Sequence, residues 1–417
     1  MKVNKFGGAS VKNAEGIKNI SHIIKDFNEH TIVVVSAIGK TTNLLESITR
    51  AFYNEDDAKW DLFNTLKENH LSIINFLFEG KTPFITNDIE NILLELECFL
   101  DRENKTESYD FYYDQIVPFG EILASRILAH YLNFVQVKSH WVDSRNFIVT
   151  DDYHREARID WDSTCKVVKN QLRKLANKST VVMQGFISRS HKGTNTTLGR
   201  EGSDYTAAIL AHCLDSKSVT IWKDVDGVMN ADPKRFDEVE KIDKISFNEA
   251  IELAYYGATI IHPKTIQPLK AKKIPLFVKS FINPKNPGTQ VLESEKCIQI
   301  PCIIVKDNQC LINIKSKDLS FIAENHLQNI FSIFSKHKLR MHVMQNSAIS
   351  FTCCTDRIPE RVSNLVSELK ELFEVELIDD VYINSIYNYQ ISDKYKMASN
   401  PLLKQFNETV YHEVLAK

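Results

Sequence analysis

The stretch "TIVVVSAIGKTTN", Thr31 to Asn43, opens with five consecutive β-branched residues and closes in a Ser, Gly, Lys and Thr-rich turn. A strand with one face in water alternates apolar and polar residues; this one does not. It reads as a strand of a parallel sheet covered by helices on both faces. The turn lies at the strand's carboxyl end and leads into a helix, and open parallel sheets bind ligands beyond those ends. Outward from this point the same alternation continues. "VNKFGG" is a short strand followed by a helix from about Asn13 to Phe27. "STVVMQGFI", "SVTIWKD" and "IPLFVKSF" are further strands separated by helix-sized stretches, and "FGEILASRILAHYL" (Phe119 to Leu132) repeats its apolar residues at helical spacing. The segment from about Asn54 to Asn104 is helical throughout and reads as an insertion outside the sheet. The first 290 or so residues therefore predict an α/β core with a mainly parallel sheet.

At "NPKNPGTQVLESEK" (Asn283 to Lys296) two prolines and a glycine mark a boundary. The pattern beyond it is β-α-β-β-α-β, the order of a ferredoxin-like domain. After a polar stretch from Ser392, the spacing of Leu402, Leu403, Phe406, Val410 and Val414 predicts a final docking helix.

A chain of 417 residues exceeds one ordinary core and predicts two or three domains. With 25% charged residues and a net charge of -3, it lacks the basic field that nucleic-acid binding needs. Its apolar runs are strand-sized, too short to span a bilayer, and the N-terminus carries no signal-peptide pattern. A soluble, cytoplasmic protein is expected. Eight scattered cysteines without a C-x-x-C pair predict reduced, mostly buried thiols.

Several residue patterns bear on chemistry. In "KFGGAS", Lys5 ends a strand and Gly7 and Gly8 open backbone N–H groups to a phosphate; a plain tight turn would read the same. Ser36, Thr41 and Thr42 add hydroxyls at the same edge, where helix capping is the alternative. Gly120-Glu121 opens a helix, a favourable place for a carboxylate in any case. "KDVDGVMNADP" carries Asp224, Asp226 and Asp232, without the ligand spacing of a calcium loop. His262 before Pro263 reads as a structural capping or packing residue. "TTLGREGSDYTAA" (Thr196 to Ala208) is a glycine-bracketed turn entering a helix, an arrangement suited to anions, yet it also carries two carboxylates. Neither a G-x-x-x-x-G-K-[ST] loop nor a G-x-G-x-x-G fingerprint is present, and a dehydrogenase reading fails for want of the latter.

Taken in order, "KFGGAS", "VVVSAIGKTTN", "FGE", "WVDSRNFIVTDD", "QGFISRS", "TTLGREGSDYTAA", "DVDGVMNADP" and "YYGATIIHPKT" resemble the aspartate kinases of the amino acid kinase family over essentially the whole chain. "HVMQNSAISF" resembles the ACT module attached to them. The resemblance implies an amino acid kinase domain over 1–285, with the helical insertion at about 54–104. It also implies an ACT-like regulatory region over 298–417 whose second repeat is curtailed. It implies phosphoryl transfer from ATP, with Mg²⁺ held mainly by the ATP phosphates and no protein metal site, to the side-chain carboxylate of L-aspartate. This is the first step towards lysine, threonine and methionine. Lys5 and Asp204 are then catalytic. Thr42, Glu121, Phe186, Arg200 and Ser203 bind aspartate. Lys5, Phe6, Gly7, Gly8, Ser36, Lys223, Asp224, Met229 and Lys234 bind ATP. A homodimer is the family expectation, with no nucleic-acid or membrane partner.

The chain departs from the family pattern at several points. Ala9 replaces a Thr, and Glu201 replaces the middle Gly of a "GRGGSD" segment; with its Cβ it is expected to avoid positive φ and point to solvent. Met229 stands where the nucleotide segment has Tyr, and Thr259 lies near a usual Lys. In the ACT region His342 and Ala348 occupy places that are acidic in lysine-inhibited members, so weak or absent lysine inhibition is expected. Other readings are a glutamate or acetylglutamate kinase, which lacks the "GREGSDY" context joined to an ACT tail, and a catalytically weak amino-acid sensor.

Overall fold

The computed structural model describes residues 1–27, 29, 31–81, 83–102, 105–258, 261–318, 320–391, 398 and 400–417. Two compact units emerge. The first comprises Met1–Val228, Lys241–Ile251 and Ile260–Cys297; the second comprises Met229–Glu240, Glu252–Thr259 and Ile298–Lys417.

Strands through the first part of the chain are β1 (Lys2–Phe6), β2 (Thr31–Val35), β3 (Ser139–Val142), β4 (Val149–Thr150), β5 (Thr180–Gln184), β6 (Ile187–Ser190), β7 (Asn195–Thr197), β8 (Ser218–Lys223), β9 (Val228–Met229), β10 (Lys241–Ile242), β11 (Lys244–Ser246), β12 (Leu276–Ser280) and β13 (Thr289–Leu292). Helices are α1 (Ala14–Lys25), α2 (Thr41–Tyr53), α3 (Ala58–Phe78), α4 (Pro83–Leu100), α5 (Tyr109–Ile116), α6 (Phe119–Phe134), α7 (Trp161–Val167), α8 (Arg173–Ala176), α9 (Gly202–Leu214), α10 (Phe247–Tyr256) and α11 (Pro263–Ala271). The main sheet has the order β11-β13-β12-β8-β1-β2-β5-β3 and is parallel except where β13 meets β12.

Every residue of β2 is buried, as its unbroken β-branched run requires. In α1, Asn13 caps the first turn by accepting the Gly16 N–H at 3.0 Å, and Ile17, Ile20, Ile23 and Ile24 face the core. Phe63, Leu66, Ile74, Ile89, Leu93 and Leu96 of α3 and α4 join the same core as α1, α2 and α6. Each such side chain contributes roughly 1.5–3 kcal/mol of burial. The inserted helices are thus an outer layer of the core. "STVVMQGFI" divides into β5 and β6, because Phe186 between them takes a left-handed φ of 70°.

The second unit contains β14 (Cys302–Ser316), α12 (Glu324–Lys336), β15 (Met341–Asn346), β16 (Ser350–Asp356), α13 (Pro359–Leu372) and β17 (Phe373–Tyr387), in the expected β-α-β-β-α-β order. Ile312, Ile314, Ile330, Phe334, Phe351, Leu365 and Leu369 form the core beneath its helices. The predicted final helix is not formed. Its residues make a hairpin, β18 (Leu403–Phe406) and β19 (Val410–Ala416), and β19 pairs antiparallel with β17. Asn407 sets the turn: its Oδ1 accepts the N–H groups of Thr409 at 2.9 Å and Val410 at 2.8 Å.

The thiol expectation also needs correction. Cys165 of α7 and Cys213 of α9 form a disulfide, their Cα atoms 4.7 Å apart; a sequence separation of 48 offers no local signal for it. Among the described residues no helix is long and apolar enough to cross a membrane.

Candidate active site

Parallel pairing brings several strand ends to one edge of the sheet. Phe6 lies in register with Val35 and with Trp222, and Val35 with Gln184. The segments holding Gly7-Gly8, Ser36, Phe186 and Asp224 therefore start from that edge. Lys5, the penultimate residue of β1, is buried, and its Nζ lies 2.6 Å from Asp204 Oδ1 in the first turn of α9. The Phe6 ring stacks on Trp222 within the core, 5.6 Å between centroids, so its backbone alone is left for a ligand. The Phe6 carbonyl accepts the Ser36 N–H at 3.1 Å, and the Gly8 carbonyl accepts that of Gly39 at 3.2 Å. A Cβ on Gly8 would stand 3.0 Å from the carbonyl oxygens of Ala37 and Gly39. Only glycine lets these two loops approach so closely.

Glu121 sits in the first turn of α6, 3% exposed. Its Oε1 accepts the Ala37 N–H at 3.2 Å, while Oε2 has no hydrogen-bond partner among the described residues. Burial pushes its pKa up to about 8, against the opposing pull of its bond from Ala37 and of the Lys5 charge. A buried carboxylate oxygen without a donor is costly, and a cationic ligand would relieve it. Thr42 is half-buried in the first turn of α2, which packs on that of α6; a Cβ on Gly120 would meet Thr41 Cγ2 at 3.3 Å.

The start of α9 is fixed against the β5–β6 connection. A Cβ on Gly185 would lie 2.4 Å from Ser203 Cβ, so the connection rests on the helix backbone. The Phe186 N–H donates to Thr206 Oγ1 at 2.9 Å, and the Phe186 carbonyl accepts the Leu198 N–H at 2.9 Å. Ser203 and Phe186 are buried here. Arg200 is exposed and forms no ion pair among the described residues. Glu201 contradicts its sequence-based expectation on both counts. Its φ is 53°, and its carboxylate turns inward to accept the His262 N–H at 2.9 Å. His262 is a helix cap, as expected: its Nδ1 accepts the Lys264 N–H at 3.2 Å at the start of α11, and burial lowers its pKa.

The expected nucleotide residues are divided between the two units. Lys223 ends β8, where its carbonyl accepts the Phe281 N–H at 2.9 Å, and Asp224 is exposed just beyond. Both belong to the first unit; Met229 and Lys234 belong to the second, and Lys234 donates its N–H to Asp232 at 3.0 Å. Thr259 lies outside the described residues.

Asp114 was not anticipated. This fully buried carboxylate accepts the Thr197 hydroxyl at 2.7 Å, the Thr197 N–H at 3.1 Å and the Arg155 N–H at 2.9 Å. It ties α5 to the strand that leads into the Arg200 turn. Nothing in "YYDQI" distinguishes it from a surface Asp, since its partners are far off in sequence.

Residues 1–280 match the model of the amino acid kinase family. The chain is 30% identical over 403 residues to aspartokinase 1, chloroplastic, of Arabidopsis thaliana, covering 90% of this chain and 68% of that protein. It is 28% identical over 398 residues to lysine-sensitive aspartokinase 3 of Escherichia coli, covering 94% and 87%. Crystal structures of E. coli aspartokinase III superpose with a TM-score of 0.84 at 26% identity for the complex with lysine and aspartate. The complex with aspartate and ADP gives 0.83 at 25%. Each covers 100% of this chain and 96% of the other.

Proposed function

The chain belongs to the amino acid kinase family, among its aspartate kinases, and from that premise we propose which of its residues carry the transfer of the ATP γ-phosphoryl group to the side-chain carboxylate of L-aspartate. The acceptor has a pKa of about 3.9 and is ionised at neutral pH, so no general base is required. The task is to bring two anions together, by positioning and by charge neutralisation. Lys5, held by Asp204, neutralises the transferred phosphoryl group, with the N–H groups of Gly7 and Gly8 beside it. Arg200 grips the aspartate α-carboxylate in a fork that Lys cannot reproduce. Ser203 adds a hydrogen bond and Phe186 walls the pocket. Glu121, with Thr42 beside it, receives the α-ammonium. Arg200 and Glu121 thus offer the two opposite charges that a zwitterion needs.

The observation that carries this reading is Glu121 itself. One of its buried oxygens is left without a donor, and it feels the charge of the Lys5 that marks the phosphoryl position. ATP is bound by Phe6 (through its backbone), Ser36, Lys223, Asp224, Met229 and Lys234, and its phosphates hold Mg²⁺, an ion that commonly stays on substrate phosphates rather than in a protein cage. The catalytic domain spans 1–285, and 298–417 is a regulatory region with a curtailed second ACT repeat. The protein acts as a cytoplasmic homodimer, which light scattering and fractionation test.

Hydroxylamine converts acyl phosphates to coloured hydroxamates. With ATP-Mg²⁺ the expected result is signal from L-aspartate and none from L-glutamate or N-acetylglutamate. Folded protein that binds aspartate without turnover would overturn the catalytic assignments in favour of a sensor.

A further inference from the structure

We propose that Glu201 is a positioning residue that sets the aspartate affinity of this chain by tying the Arg200 turn to the start of α11. The inference rests on the reading of Arg200 as the clamp for the substrate carboxylate. Arg200 lies between two residues in the left-handed region, Gly199 at φ 76° and Glu201 at φ 53°. Glycine adopts that conformation freely, whereas a residue with a Cβ resists it. A glutamate that holds it is therefore retained against a local preference, and its side chain shows what opposes that preference. The carboxylate accepts the His262 N–H at 2.9 Å, at the N-terminal end of α11, where the helix dipole favours a negative charge. Through its carbonyl the same residue accepts the N–H groups of Asp204 at 3.0 Å and Tyr205 at 3.1 Å. Glu201 thus begins α9 with its backbone and holds α11 with its side chain. On its other flank the turn lies against Arg155 and Glu156: a Cβ on Gly199 would be 3.2 Å from each. Arg200 is exposed and makes no ion pair among the described residues, so the placement of its guanidinium depends on the turn that carries it.

A clamp held in place binds ground state and transition state alike, and loosening it raises KM while leaving kcat in place. Glu201→Gly separates the tie from the turn, because glycine takes φ 53° without strain and loses only the carboxylate. We expect it to raise the KM for aspartate about tenfold, with kcat and the KM for ATP unchanged within about twofold. Glu201→Gln keeps an acceptor oxygen at the same reach and is expected to stay within about threefold of wild type. Wild-type KM in Glu201→Gly, or equal loss in the Gln variant, overturns the proposal. Arg200→Ala separates the two levels of the reading. If it raises the KM for aspartate and Glu201→Gly does not, the positioning role alone fails. If Arg200→Ala leaves KM unchanged, the clamp and the positioning role fail together.

Discussion

Lys5 Nζ lies 2.6 Å from Asp204 Oδ1, joining the end of a central strand to the first turn of α9. Both side chains are nearly removed from solvent, 11% and 3% exposed, so the pair is built into the sheet edge and fixes where a positive charge stands. Lys5→Ala is expected to lower kcat at least ~100-fold, the scale of losing one preorganised charge contact in a transition state. Near-normal turnover in a folded variant would remove Lys5 from the mechanism.

Asp204→Asn keeps the shape and removes the counter-charge. The ammonium then loses its anchor, and kcat should fall while the KM for aspartate moves little, since Asp204 faces Lys5 rather than the substrate. Steady-state kinetics of the purified variant separate the two; a change confined to KM would place Asp204 in substrate binding instead.

Glu121 makes stability depend on pH in a defined direction. Its folded pKa, about 8, lies above its ordinary value of 4.5 because of burial. The folded chain therefore holds the proton more tightly than the unfolded chain. The resulting stability is complete below the ordinary carboxylate range and is lost as pH rises through about 8. Glu121→Gln cannot ionise, so in ligand-free protein wild type should lose on the order of 2 kcal/mol relative to the variant between about pH 6 and about pH 8. Parallel denaturation curves for the two proteins across that window would contradict the buried state of this carboxylate.

In the second unit, Asp356 already faces two of the chain's own basic groups. Its Oδ2 is 3.1 Å from His342 Nε2 and its Oδ1 is 3.0 Å from Lys306 Nζ. These contacts, the His342 bond foremost, hold its carboxyl well below the usual carboxylate range. A lysine ammonium gains no acid from His342 or Ala348 and would compete with Lys306 for Asp356. Millimolar lysine should leave the aspartate-dependent rate unchanged, and full inhibition below a millimolar would refute this.

The disulfide is checked directly. Unfolding in excess alkylating reagent without a reductant should modify six cysteines, leaving Cys165 and Cys213 joined. Modification of all eight would show that the pair is reduced in the protein as isolated.

Much of this was legible in the sequence. The run Ile32–Val35 marked a fully buried strand because nothing in it can face water, and the motifs at Lys5, Glu121 and Asp204 stood at strand and helix ends where ligands gather. What escaped was decided by partners far away in the chain. Leu403, Phe406, Val410 and Val414 are spaced as on a helix, yet pairing with β17 and the Asn407 turn make them a hairpin. Local sterics argued that Glu201 would avoid positive φ, but an N–H 61 residues away supplied the compensating bond. Asp114 could not be singled out because its burial and its partners on Thr197 and Arg155 arise only in three dimensions.

The most direct test of the site compares L-aspartate with succinate, which has both carboxylates and no ammonium, in wild type and Glu121→Gln. If Glu121 receives the substrate ammonium, wild type should favour aspartate strongly in kcat/KM, and the variant should lose most of that preference through its effect on aspartate. An aspartate-to-succinate ratio that is the same in both proteins would mean that Glu121 does not read the ammonium, and the assignment of the pocket would have to be withdrawn.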